Sequence, residues 1–224
     1  KSGKKLSELL EPFRARFFLT GELNTPVSDV PLKLEELKER FAEVLESGRF
    51  IFGPEVEAFE QESAAYLGVP YAIGVANGTD ALVLSLEAMG IGAGDEVICP
   101  AFTFYATAEA IVQSGATPVL ADIDPTTLNL DPEDVAARIT PRTKAIMPVH
   151  LFGRPARLDA LVALGVPLVE DAAQAFGARG VGTTGLASTF SFFPTKNLFA
   201  LGDGGLVAVT DTELGERVRM LRFH

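Results

Sequence analysis

The stretch EVICPAFTFYATAEAIVQSGATPVLADI, Glu96 to Ile123, reads as strand, helix, strand. EVICP is a short apolar run, TAEAIVQSG carries apolar residues at helical spacing and closes on a glycine, and TPVLADI is again apolar. No hairpin signal separates the two runs, so the second strand is reached by a crossover and lies parallel to the first. Strands in a parallel sheet are covered by helices on both faces, which is why these runs are apolar throughout instead of alternating.

The same unit recurs on either side. AIGVA precedes TDALVLSLEAMG, PEDVAARI follows TPVLADI, KAIMPVH precedes RLDALVALG, and PLVED precedes AAQAFGA, which is also expected to be helical. The alternation predicts a three-layer α/β/α domain around a mainly parallel sheet, with ligand-binding loops at the carboxyl ends of the strands. Two helical segments come earlier, LKLEELKERFAEVLES, stopped by Gly48, and EVEAFEQESAAYLG. From Ser188 the pattern changes. STFSFF and GGLVAVT are strand-like runs joined by PTKNLFALGDGG, with no room for a crossover helix, and TELGERVRMLRFH is helix-like. Residues 1–30 stand apart as an N-terminal arm, with Leu6, Leu9, Leu10, Phe13 and Phe17 at helical intervals, and residues 31–224 form the large domain.

The 224 residues are 47% hydrophobic, enough for the core of one large α/β domain or of two small ones. The net charge of -11 argues against nonspecific binding to nucleic acid or to an acidic membrane surface, because both are polyanions. No apolar run reaches the length of a membrane span, and the basic start KSGKKLSELLEPF lacks a signal-peptide core. One cysteine, Cys99, leaves no internal disulfide, and with only His150 and His224 beside it no cysteine and histidine metal cluster is expected. A reducing, cytoplasmic setting fits this usage.

Four places offer chemistry. In SFFPTKNLFALGDGG, Ser191 to Gly205, Lys196 alone among the lysines sits in an apolar and aromatic neighbourhood. Burial there disfavours the ammonium, and the neutral amine is the form that attacks a carbonyl. Gly202, Gly204 and Gly205 are expected to turn the backbone sharply behind it. PLVEDAAQA ends a strand on Glu170 and Asp171 and sets Gln174 one helical turn beyond; a carboxylate there needs a cation or several donors, or it caps the next helix. ANGTDAL puts Asn77, Gly78, Thr79 and Asp80 between a strand and a helix start, where free amides suit a phosphate, although the same residues make an ordinary helix cap. Phe102, Phe104 and Tyr105 follow the strand of Ile98, where a ring can lie against a planar ligand or belong to the core. A fifth string, GVGTTG from Gly180 to Gly185, matches G-x-G-x-x-G, but it follows a helical pattern and leads into a strand, so it reads as a flexible loop and not as a nicotinamide site.

The four places complete one another. Pyridoxal 5′-phosphate needs a lysine for its aldehyde, an acid for its ring nitrogen, a helix N-terminus for its phosphate and a flat surface for its ring. At these residues the sequence resembles the pyridoxal-phosphate transferases of fold type I, and within them the DegT/StrS-type sugar-nucleotide aminotransferases. The resemblance runs from about Ser47 to His224 through SGRFIFGPEVEAFE, ANGTDAL, GIGAGDEVICPAFTF, GATPVLADID, TPRTKAIMPVHLFG, VEDAAQAFGA and SFFPTKNLFALGDGG. It implies the large domain of that fold, with the family's small C-terminal domain absent from this chain. It implies Lys196 as Schiff-base lysine and proton shuttle, Asp171 as partner of the ring nitrogen, Gln174 at the ring hydroxyl and Phe104 stacked on the ring. Gly78, Thr79, Asp80 and Ser191 would receive the phosphate, and Phe50, Ile51 and Phe52 would line the substrate entrance. The implied reaction moves an amino group from L-glutamate to a ketone of a nucleotide-linked sugar in two half-reactions, in a homodimer with a shared active site. Another fold type I activity, a lyase or an amino-acid transaminase, or a regulatory protein that holds the cofactor without turnover, would share this site.

Overall fold

The computed structural model describes residues 34–223, so the arm expected over residues 1–30 lies outside the described residues. Helices α1 (Leu34–Ser47) and α2 (Pro54–Leu67) come first. α2 starts on a proline, whose missing N–H is no loss at that position, and stops at Gly68 in the left-handed conformation. The alternating part follows as β1 (Tyr71–Val75), α3 (Gly78–Ala88), β2 (Glu96–Pro100), α4 (Ala106–Gln113), β3 (Thr117–Ala121), α5 (Pro132–Arg138), β4 (Thr143–Ile146), α6 (Leu158–Val162) and β5 (Val169–Asp171). The chain closes with β6 (Ala187–Ser191), β7 (Gly205–Val209) and α7 (Thr212–Leu221).

β2 pairs in parallel with β3 and β4, and β5 pairs in parallel with β6. Parallel bridges Ile146–Leu168 and Val149–Asp171 join the two groups, giving one sheet in the order β1, β7, β6, β5, β4, β2, β3. Only β7 runs against its neighbours β1 and β6. That reversal follows from the missing crossover helix between β6 and β7, since a short connection returns a strand antiparallel.

Alternate residues of the strands feed opposite layers. Val97 and Cys99 of β2 and Val207 and Val209 of β7 join α3, α4 and α7 on one face. Ile98 and Ile146 meet Val135 and Leu161 of α5 and α6 on the other, where Leu206 and Phe190 also meet Phe59 of α2. Phe59, Phe190 and Phe192 are among the largest fully buried side chains, each contributing about 2 to 3 kcal/mol by area removed from water.

Two segments depart from expectation. AAQAFGA is not a helix: the Ala172 N–H donates to Thr189 O of β6, and single turns follow from Ala175 N–H to Ala172 O and from Ala178 N–H to Ala175 O. Sheet pairing captures the amide that would start a helix, so Gln174 stands on a turn. GVGTTG leads into β6 as an irregular loop, yet it is tied down. Val181 is buried, and the amides of Gly182, Thr184 and Gly185 all donate to the Glu170 carboxylate.

Candidate active site

Lys196 follows β6 on a tight turn. Its N–H donates to Phe193 O at 2.8 Å, Asn197 Nδ2 donates to Phe176 O at 2.7 Å, and Ala200 N–H donates to Phe192 O at 2.7 Å. Phe192 and Leu198, on either side, are fully buried and fix the turn in the core. The half-buried amine itself makes no hydrogen bond or ion pair among the described residues. Burial pulls its pKa below the ordinary lysine value, and the Asp171 carboxylate opposes that shift.

Asp171 ends β5. Its Oδ2 accepts from Thr107 Oγ1 at 2.8 Å, and its Oδ1 accepts from Ala173 N–H at 3.2 Å. Thr103 and Thr107 are hydrogen-bonded in turn at 3.0 Å. Burial pushes the Asp171 carboxyl up; the Thr107 hydroxyl, the Ala173 amide, His150 and Lys196 act against burial without overcoming it. To be ionised at this depth the carboxyl needs a cation, and Lys196 alone does not offset the burial. Cys99 lies near Asp171 with its thiol pushed up to about 12, first by burial and then by that carboxylate. It is not a thiolate nucleophile.

The α3 N-terminus faces the same place. Asn77 Oδ1 accepts from Asp80 N–H at 2.8 Å, and Asn77 Nδ2 donates back to Asp80 Oδ2 at 3.1 Å. This reciprocal cap uses the Asp80 amide and leaves those of Gly78 and Thr79 without a partner among the described residues. Asp80 thus holds the turn, while Gly78 and Thr79 offer the donors. A Cβ added at Gly78 would stand 2.7 Å from Ser191 Cβ, so the glycine brings the amide end of α3 against the Ser191 hydroxyl. Gly205 sits between them in the sheet, paired with both Val75 and Ser191. Its own Cβ would fall 2.2 Å from Asn77 O. Of the glycines behind the lysine, only Gly202 has a left-handed φ; Gly204 and Gly205 are needed for close approach and not for a sharp turn.

These groups line one cleft of about 680 Å³ that also contains Phe104 and Gln174. Phe104 is exposed, with its ring 4.5 Å from that of Tyr105. Gln174 Oε1 accepts from Phe152 N–H at 2.6 Å, which turns its amide nitrogen to other partners. All eight residues expected at the cofactor therefore meet: Gly78, Thr79, Asp80, Phe104, Asp171, Gln174, Ser191 and Lys196. The entrance candidates do not line this cleft. Phe50 and Ile51 are exposed elsewhere, and Phe52 stacks on Phe223 at 5.7 Å and carries Arg222 4.3 Å over its ring. Thr103 and Thr107 escaped the reading of the sequence; their i, i+4 spacing across the start of α4 was the only signal. Among the described residues no group of three or more histidine, cysteine or acidic side chains could hold a metal ion, and no helix is long and apolar enough to cross a membrane.

A sequence model of the DegT/DnrJ/EryC1/StrS aminotransferase family matches residues 31–224. The chain belongs to this family. It is 48% identical over 209 residues to dTDP-3-amino-3,4,6-trideoxy-alpha-D-glucose transaminase of Streptomyces venezuelae, covering 88% of this chain and 55% of that protein. It is 49% identical over 190 residues to UDP-2-acetamido-2-deoxy-3-oxo-D-glucuronate aminotransferase of Pseudomonas aeruginosa, covering 81% and 53%. A relative in Geobacillus stearothermophilus, 48% identical over 214 residues at 90% and 58% coverage, bears the name pleiotropic regulatory protein. The fold matches that of Streptomyces venezuelae DesV in complex with a ketimine intermediate, with TM-score 0.80 and 48% identity over 85% of this chain and 55% of that one. It also matches Bacillus subtilis NtdA with bound cofactor PMP, with TM-score 0.83 and 34% identity over 93% and 51%. The chain spans about half the length of the curated relatives it matches. As a DegT/DnrJ/EryC1/StrS member it has the α/β architecture of pyridoxal-phosphate aminotransferases.

Proposed function

We propose that the protein is an aminotransferase that moves an amino group from L-glutamate to a ketone of a nucleotide-linked sugar. Pyridoxal 5′-phosphate is the cofactor of this family, and the cleft fits it. The observation that carries the reading is the meeting of an unpaired lysine, a buried aspartate that lacks a cation, and an unclaimed pair of helix amides in one cleft.

When bound, the cofactor supplies an aldehyde that exchanges amino groups and a ring that accepts electrons. The protein's part is to hold and to move protons. Gly78 and Thr79 amides with the Ser191 hydroxyl would take the phosphate at the α3 N-terminus, where the helix dipole offsets the negative net charge of the chain. Asp171, raised by burial, would hold a protonated ring nitrogen, whose positive charge would favour the ionised carboxylate. Gln174 keeps an amide N–H for the ring hydroxyl, because its carbonyl is already committed to Phe152. Phe104, in the lining of the cleft, would pack against the ring. Lys196 would hold the aldehyde through Nζ, and its amine, depressed by burial, would carry a proton between the substrate carbon and the cofactor's carbon.

Phe50 and Ile51 stand exposed away from their own cleft, so an entrance role is served through a homodimer in which each subunit completes the other's site. A single buried cysteine suits the cytoplasm. The test is an absorption titration with pyridoxal 5′-phosphate followed by glutamate and then a nucleotide-linked keto-sugar. A visible band that glutamate bleaches and the keto-sugar restores supports the transferase. A stable band that no amino donor changes would favour the regulatory reading that the Geobacillus relative's name suggests.

A further inference from the structure

The G-x-G-x-x-G loop has no part in the cofactor cleft, and what fills it is a side chain of the protein itself. Glu170 is completely buried, one residue before Asp171. Its Oε1 accepts from Thr184 N–H at 3.0 Å and Gly185 N–H at 2.6 Å, and its Oε2 accepts from Gly182 N–H at 3.1 Å and His150 Nε2 at 2.8 Å. Glycine is required for this convergence. A Cβ at Gly185 would lie 2.9 Å from Leu168 O and from Ala187 O, and one at Gly182 would lie 3.0 Å from Phe190 Cζ.

His150 is gripped at three points. Its Nδ1 accepts from Ala156 N–H at 3.0 Å, so the ring proton resides on Nε2 and is donated to Glu170. Its backbone N–H donates to Asp171 O at 2.9 Å, and the Asp171 N–H donates to Pro148 O at 2.9 Å. One residue thus holds the carboxylate of Glu170 and the main chain of Asp171 together. Burial alone would push the Glu170 carboxyl up, but His150 and the amides of Gly185 and Gly182 outweigh it and hold it below the usual value.

A buried carboxylate is a costly way to fasten a loop, since an apolar side chain of similar volume often serves stability as well or better. Its location accounts for it. We propose that His150 and Glu170 are positioning residues for Asp171: the GVGTTG loop is an internal anion nest, and the strut anchored in it sets where the Asp171 carboxylate meets the cofactor's ring nitrogen. This rests on the reading of Asp171 as that partner. Asp171 is supported from both sides, by Thr107 and Ala173 at its side chain and by the strut behind its main chain. A binding group held from two sides keeps its geometry within the fraction of an ångström that the contact requires.

The test compares His150→Ala, His150→Gln, Asp171→Asn and the stability control Val218→Ala, a buried site on α7. For each, the thermal midpoint and the affinities for pyridoxal 5′-phosphate and for inorganic phosphate are measured. His150→Ala is expected to weaken pyridoxal 5′-phosphate about tenfold, while inorganic phosphate, which needs only the Gly78, Thr79 and Ser191 cradle, stays within about twofold. His150→Gln, whose amide donates where Nε2 does, recovers most of the loss. If His150→Ala does not fold, His150→Asn, too short to reach Glu170, replaces it. The proposal is overturned if both affinities fall together as in Val218→Ala, if glutamine is no better than alanine, or if only Asp171→Asn weakens the cofactor. An Asp171→Asn variant that binds the cofactor as well as the parent would overturn the reading of Asp171 itself and the strut with it.

Discussion

Two glycine-bearing loops of this molecule present clustered backbone amides, and they differ in what answers them. At Gly180 to Gly185 it is Glu170, and the loop is filled from within. At Asn77 to Asp80 the cap between Asn77 and Asp80 satisfies the third amide and leaves Gly78 and Thr79 open toward a cleft. By motif string alone the first would outrank the second, but its place after a helical pattern and before a strand already marks it as a loop, and in the structure that loop is filled by Glu170. An amide cluster is a ligand site only where the chain does not already supply the anion, and this depends on a residue that the motif does not contain.

The comparison can be broken at several points. The largest effect is expected at the open site: Lys196→Ala should lower turnover with glutamate at least 1,000-fold, because both proton transfer and the covalent tether are lost, while the thermal midpoint stays close to the parent. At the filled loop, Glu170→Ala should cost about 3 kcal/mol of stability by stranding three amides and an imidazole, measured by denaturant unfolding. Because the Glu170 pKa in the folded protein is depressed, its contribution is present above the usual carboxylate range and is lost as pH falls through the depressed value. The gap between parent and Glu170→Ala should therefore narrow in acid.

Smaller effects test the open loop. Gly78→Ala puts a methyl into Ser191 and should weaken inorganic phosphate binding about tenfold or more, whereas a change in the filled loop should not. Covalent capture of the cofactor by Lys196, trapped with borohydride across pH, should begin below the ordinary lysine pKa. Removing the Asp171 charge should move that onset lower still, since the carboxylate is what holds the Lys196 pKa up. Thr107→Val, which takes one hydrogen bond from Asp171, should weaken cofactor binding by about 1 kcal/mol, roughly fivefold by titration.

The strands were legible because helices cover both faces of the central ones, which buries EVICP and GLVAV at every position and makes them apolar apart from Glu96. The reversal of β7 was legible in the short connection before it. AAQAFGA misled because apolar spacing records which residues are buried and not how their amides are paired, and Ala172 gives its amide to β6. The residues that line the cleft could be gathered from the sequence because most follow a strand end or open a helix; Gln174, expected on a helix, stands on a turn. Thr107 could not, since its partner Asp171 is 64 residues away and only the parallel order of β2, β4 and β5 brings them together. The same holds for Gly205, whose necessity lies in Asn77, distant in sequence, passing over it from the end of the neighbouring strand β1.

Lys196 offers the most direct test. Incubation with pyridoxal 5′-phosphate, reduction with borohydride and mass analysis of the peptides locates the tether. The account predicts a visible band that disappears on reduction, with the added mass at Lys196 and absent from Lys196→Ala. Labelling spread over surface lysines such as Lys38 and Lys144, unchanged in the Lys196 variant, would contradict it.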